Sequence, residues 1–431
     1  MPYRPPTTKR RRRCLPLAAG LLAAATVFAF APAADATAPP AATLSLAPAP
    51  GRPDSRPDSA ALQQELNAIL AQGGATSAIA EIREDGRVAW RGTAGVARLG
   101  SSAPAPLDGR FRVGSVTKTF LATVVLQLSA EGGVGLDDPI ERYLPGTVPD
   151  GAAITVREVL NHTAGIFDYT EDPRFAEDTE AEQEQLAGPG RWQTYTPQQL
   201  IAVATSHPPY FAPGQGWHYS NTDYQLIGEL IGKVTGHSWR TEVQQRILRP
   251  LGLHHTYLPG TTASIPGPHA HGYLPLTPGP ADITELNPSV AGSAGEIIST
   301  TDDLTRFNAA LLGGRLLAPA QLAEMTTVIT TGQSLDYGLG LMRGTLPCGE
   351  VWGHTGSIYG YLTYVVGDRS GTRQIALSVT PNDPAKAAGM TQAIGALLGQ
   401  TFCADPAATT APAALAPGGR NIGPELSLSH P

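Results

Sequence analysis

Strand-like runs at both ends of the chain, with a long helical stretch between them, predict an α/β fold. The expected form is an antiparallel sheet flanked by helices, built from both chain ends, with an inserted, mostly helical lobe. Residues 77–83 and 87–94 bracket the turn Glu84-Asp85-Gly86 near the start. Residues 352–355, 361–366 and 374–379 form β-rich runs near the end, and several helical stretches fall between about 155 and 250. A cleft between sheet and helical lobe is the expected place for a ligand.

The first 36 residues read as an export signal. Lys9 and Arg10 to Arg13 are basic, residues 15–30 form an apolar run, and Ala34-Asp35-Ala36 suits a cleavage site. The alternative, a membrane anchor, meets a run short of the roughly 20 residues a crossing needs. The consecutive arginines leave twin-arginine export open. Residues 37–58 are rich in Ala and Pro and read as a linker, and residues 404–431 as a disordered tail. The folded unit is then 59–403. Its α/β lobe covers about 59–135 and 290–403, and its helical lobe about 136–289.

Within that unit, Leu62, Leu66, Ile69 and Leu70 recur at helical spacing and predict an opening amphipathic helix. Residues 117–131 are apolar nearly all round, as a buried central helix requires. Residues 302–312 predict a helix with Thr301 or Asp302 at its N-cap, and residues 389–402 a closing helix.

Removal of residues 1–36 takes Lys+Arg from 30 to 24 and Asp+Glu from 37 to 36, a net charge of −12. So acidic a protein is a poor partner for nucleic acid or an anionic membrane, and it is expected to be a monomer without a membrane anchor. Of the three cysteines, Cys14 leaves with the signal. Cys348 and Cys403 then remain in an oxidising compartment, where a disulfide would tie the last helix to the body. Two buried free thiols are the alternative.

The local pattern richest in chemistry is Gly114-Ser115-Val116-Thr117-Lys118. Ser and Lys three apart share one helix face, so the amine can reach the hydroxyl. A serine hydroxyl needs a neighbour to take its proton, and a lysine serves once its pKa is lowered. The chain has four lysines (Lys9, Lys118, Lys233 and Lys386), and only Lys118 follows a serine by three. A snorkelling surface lysine is the bland alternative. Tyr219 and Asn221 point the same way from one short segment. Tyr219 can relay a proton if cations lower its pKa, and Asn221 can orient Lys118 and a substrate carbonyl. His354-Thr355-Gly356 ends a strand-like run: His354 offers a positive or hydrogen-bonding group, Thr355 a hydroxyl, and Gly356 room for substrate backbone. The N–H groups of Ser115 and Ser357 suit an oxyanion hole. Taken singly, a structural tyrosine or an edge-strand histidine explains each of the last two as well.

Together, Ser-x-x-Lys, Tyr-x-Asn and His-Thr-Gly, separated by 104 and 135 residues, resemble the active-site triplet of serine penicillin-binding enzymes and class C β-lactamases. The segments 160–166 (Leu-Asn-His-Thr-Ala-Gly-Ile), Pro213-Gly214 and Tyr337-Gly338-Leu339-Gly340 add to the likeness. His354 and the flanking cysteines are most similar to secreted, soluble D-alanyl-D-alanine carboxypeptidases. The resemblance implies a Ser115 acyl-enzyme, with Lys118 and Tyr219 moving protons and Asn221 positioning the acyl donor. His354 and Thr355 would sit around the terminal carboxylate of a stem peptide, and β-lactam antibiotics would acylate the same serine. A class C-like β-lactamase, an esterase or D-amino acid amidase, and a non-catalytic penicillin- or peptidoglycan-binding receptor are the alternatives.

In those carboxypeptidases an arginine grips the carboxylate. Met342 stands at that place, with Arg343 beside it as the candidate replacement although strand neighbours face opposite ways. The aromatic wall expected near Ala291 is reduced to Val290. Glu171 to Glu184 holds seven acids that read as a solvated loop or a cover disfavouring anions, with Phe175 as a possible substrate contact. His254, His255, His269 and His271 lack helical ligand spacing, so no metal or other cofactor is expected.

Overall fold

The computed structural model describes residues 58–403; the expected signal, the tail and all of the expected linker but Asp58 lie outside them. Five helices frame the site: α1 (Ser59–Ala71), α2 (Val116–Ala130), α3 (Asn221–Thr235), α4 (Thr301–Leu312) and α5 (Ala387–Phe402). The main sheet has eight strands. In chain order they are β1 (Ala75–Glu84), β2 (Arg87–Gly95), β3 (Ile329–Thr330), β4 (Asp336–Tyr337), β5 (Met342–Leu346), β6 (Gly349–Ile358), β7 (Tyr361–Gly367) and β8 (Arg373–Pro381). Their spatial order is β2-β1-β8-β7-β6-β5-β4-β3, antiparallel throughout.

The pairing of β1 with β8 closes the fold on itself. Ala78 stands opposite Val379 and Ile82 opposite Ile375, so β-branched and small side chains from the two chain ends meet in register. One face of the sheet packs on α1 and α5 around Leu62, Leu66, Ile375, Leu377 and Leu397. Asp58 starts α1 by accepting the Ala60 N–H at 2.9 Å. The opposite face carries α4, whose Phe307 ring stacks on Phe120 of α2 at 3.7 Å. The cap of α4 is Thr300, one residue before the expected position, because its hydroxyl reaches the Asp303 N–H at 3.3 Å.

Helix α2 is buried on nearly every side, as its composition requires, and α3 packs against it. Cys348, in the β5–β6 turn, and Cys403, just past α5, have Cα atoms 5.5 Å apart and their sulfurs joined. No helix among the described residues is long and apolar enough to cross a membrane.

Candidate active site

A left-handed glycine starts the site. Gly114 has φ +54°, and a Cβ there would lie 2.8 Å from the Ser357 nitrogen. A Cβ on Gly356 would lie 2.0 Å from the Val113 carbonyl and 3.0 Å from the Ser115 nitrogen. The end of β6 therefore lies directly on the Ser115 turn, and the N–H groups of Ser115 and Ser357 share one neighbourhood. This corrects the role expected for Gly356: the backbone it admits is that of the serine turn. Ser115 caps α2, whose first turn carries no acid to offset the positive helix end.

Lys118, one turn into α2, is fully buried. Its Nζ lies 3.0 Å from Ser115 Oγ, 2.8 Å from Asn221 Oδ1 and 2.9 Å from the Ala294 carbonyl. Two of these neighbours are carbonyl oxygens, which only accept. A neutral amine gives its two hydrogens to them and turns its lone pair to Ser115. Burial lowers Lys118 from the usual lysine range to about 7, against the pull of Asp168 and Asp223, which favour the charged form.

Tyr219 is buried beside this amine, with Lys118 Nζ 4.8 Å from its ring centroid. Burial pushes its phenol well above the ordinary tyrosine range, although the Ser115 hydroxyl beside it works the other way. The condition set for its proton relay, a pKa lowered by cations, is thus not met: burial, with Asp168 and Asp223, acts the other way. At neutral pH Tyr219 is a phenol able to pass a proton on. Of the two roles expected for His354, the structure favours the hydrogen-bonding one. Burial lowers it to about 3, so it is neutral, donating from Nδ1 to the Thr355 carbonyl and accepting the Tyr337 hydroxyl at Nε2 over 2.9 Å.

The structure does not bring Arg343 to the cluster. Its guanidinium lies 2.5 Å from Asp336 and 3.2 Å from Glu350, and it covers the Trp352 ring. The side chain beside the Thr355 hydroxyl is Met342, whose sulfur lies 3.7 Å away. Strand alternation accounts for this: Met342 and Arg343 leave β5 on opposite faces.

Comparison with known proteins agrees with this geometry. The Beta-lactamase family model matches residues 62–399. The chain belongs to that family. It is a serine hydrolase of the superfamily that holds β-lactamases, penicillin-binding proteins, esterases and amidases. A D-stereospecific amidohydrolase from Streptomyces sp. superimposes with a TM-score of 0.71 at 43% identity, covering 81% of this chain and 100% of that one. The D-amino acid amidase of Ochrobactrum anthropi SV3 gives 0.69 at 26%, covering 79% and 97%. Penicillin-binding protein 4* of Bacillus subtilis (strain 168) is 27% identical over 303 residues. That match covers 66% of this chain, and the chain spans 63% of that relative's length.

In this Beta-lactamase family member Phe175 packs edge-on against Tyr169, the residue after Asp168, and lies in the wall of a cavity of about 340 Å³ that Tyr195, Leu286, Val290 and Tyr359 also line. Tyr359 is two residues past Ser357, and the Val290 carbonyl accepts the Tyr169 hydroxyl at 2.6 Å. Aromatic side chains from elsewhere thus supply the wall that Val290 alone does not. Sequence inspection missed Asp168, His162, Asp223 and Tyr337 as members of the site. His162 has φ +66° and meets Asp223 Oδ2 at 2.8 Å, with its ring 4.3 Å from that of Tyr219. Asp223 was signalled by its place two residues after Asn221, a charge on an otherwise buried helix face. Asp168 and His162 sit in or just after the 160–166 motif, where ionisable side chains inside a buried segment were the available clue.

Proposed function

We propose that this enzyme hydrolyses amides of D-amino acids carrying apolar side chains and a free amino group, through an acyl-enzyme on Ser115. What carries the substrate class is the carboxylate end of the site: Met342 stands beside Thr355, Arg343 is held by two acids, and His354 is neutral. A terminal carboxylate there would lose its solvation without gaining a cation. The 340 Å³ cavity suits a bulky apolar side chain, and the acids of the loop around Phe175, among them Glu177 beside Tyr359 and Glu182 in the wall, favour an amino group. The D-configuration rests on the likeness to the Streptomyces amidohydrolase and the Ochrobactrum amidase.

In this mechanism Ser115 Oγ attacks the amide carbonyl carbon and its proton passes to Lys118 Nζ. The oxyanion forms against the Ser115 and Ser357 N–H groups. The Tyr219 phenol protonates the leaving nitrogen, the C–N bond breaks, and Lys118 returns the proton to Tyr219. Water then cleaves the ester by the reverse path. Asn221 holds Lys118 and the acyl group in place.

D-phenylalanine amide should exceed L-phenylalanine amide in kcat/KM by about 10²-fold, the discrimination expected of a shaped pocket. It should also exceed an N-blocked peptide ending in D-Ala-D-Ala. Ammonia and D-alanine release measure both comparisons. Faster release of D-alanine from the blocked peptide would replace the amidase by the carboxypeptidase.

The basic, apolar and small-residue order of residues 1–36 supports export, and export supports an oxidised Cys348–Cys403 pair. Closing the 55-residue separation contributes about 4 kcal/mol in the chain-entropy account. The intact mass of protein recovered from culture medium should start at Thr37 and be two hydrogens lighter than the dithiol. Retention of residues 1–36, or two free thiols, would rule out the corresponding assignment.

A further inference from the structure

Asn221 faces two partners of opposite character, and its amide has two ends to match. Its Oδ1 takes the Lys118 amine at 2.8 Å, while its Nδ2 donates to Asp168 Oδ2 at 2.9 Å. A carboxylate only accepts, and the Lys118 amine, whose lone pair is turned to Ser115, gives a hydrogen here, so the amide fits this network in one orientation and fails if flipped. Asp168 is itself fully buried and firmly held. The Tyr210 hydroxyl accepts the Asp168 N–H at 3.0 Å and donates to Glu171 Oε2 at 2.7 Å, and Asp168 Oδ1 accepts the Thr170 N–H at 3.0 Å. The carboxylate thus hangs from the segment that follows the 160–166 motif and meets the catalytic cluster at Asn221.

We propose that Asp168 is a positioning residue: its carboxylate fixes the Asn221 amide with Oδ1 toward Lys118 and places a negative charge across that amide from the amine. The inference rests on Ser115 and Lys118 acting as nucleophile and base, and it is independent of the substrate class. The other titratable groups around Lys118 are Asp223 on α3, His162 beside it, Tyr219, Tyr224 and Tyr337, and His354 on β6. Burial holds both histidines neutral and raises both carboxyls, Asp223 well above the ordinary range and Asp168 to about 6, so near neutral pH the negative charge facing Lys118 is that of Asp168.

Two variants separate the two parts of the role. Asp168→Asn keeps an acceptor for Asn221 Nδ2 and removes the charge; Asp168→Ala removes both. Acylation of each full-length variant by p-nitrophenyl acetate is followed as a function of pH, since this ester needs no D-amino acid site. A negative charge favours protonated lysine, so its loss moves the acidic limb of the Asp168→Asn profile down by about one pH unit. At pH 6 that variant then retains a larger share of its own plateau than the wild type does. Its plateau stays within about tenfold of wild type, while that of Asp168→Ala falls by about 10²-fold as the amide loses its anchor. An Asp168→Asn profile superimposable on wild type would overturn the inference, even if Asp168→Ala fails to fold. Equal plateaus for two folded variants would overturn the orienting part. Ester acylation without D-amide hydrolysis would sink the substrate assignment above and leave this result standing.

Discussion

Ser115→Ala is expected to lower kcat by about 10⁵-fold or more and to abolish covalent labelling by a fluorescent penicillin, with the fold intact. The size follows from the route: without Oγ there is no acyl-enzyme, and only binding and the oxyanion donors remain to assist water. The backbone donors survive the change, because the Ser115 N–H belongs to the turn that Gly114 and Gly356 shape rather than to the side chain. The side chain is small and buried, and alanine fits its space, so circular dichroism and thermal melting should barely move. Labelling of the wild type with a persistent band would show slow deacylation, whereas penicillin turnover without a band would show β-lactamase activity. A variant that keeps a covalent band, or within about tenfold of wild-type turnover, would place the nucleophile elsewhere.

How much of this was legible beforehand depended on whether a residue acts through its type or through its surroundings. Ser115, Lys118, Tyr219, Asn221 and His354 were visible as residue types at telling spacings; the structure gathers the first four within hydrogen-bonding or ring-contact reach and joins His354 to them through Tyr337. The strands and α2 were equally visible, because period-2 runs and an all-round apolar helix leave few other readings. Charge states were not. A tyrosine near lysine looks activated in sequence, yet desolvation of the buried phenol wins in space, and the same force neutralises His354. Arg343 failed for a reason of register: one position along β5 separates a side chain that meets Thr355 from one committed to Asp336 and Glu350. Asp168 escaped because its effect passes through Asn221, a second-order relation that no single motif displays.

The sharpest test of Lys118 as the base is a comparison of Lys118→Ala with Lys118→Arg. Each should slow acylation by about 10²- to 10⁴-fold, the span of general acid–base catalysis. Arginine keeps the positive charge and several donors, so it would substitute well for a lysine that acted only by electrostatic attraction. It cannot lose its proton at working pH, so it fails where a lone pair is required. The wild-type pH profile carries the same content. With Lys118 lowered to about 7 by burial, the neutral amine predominates above that pH and is lost below it. Acylation should accordingly fall about tenfold per pH unit below 7 and flatten above it. The two carbonyl acceptors at Asn221 and Ala294 explain why the free amine stays aimed at Ser115 rather than turning away. If Lys118→Arg acylates within about tenfold of wild type, Lys118 is not the base and the proton goes elsewhere.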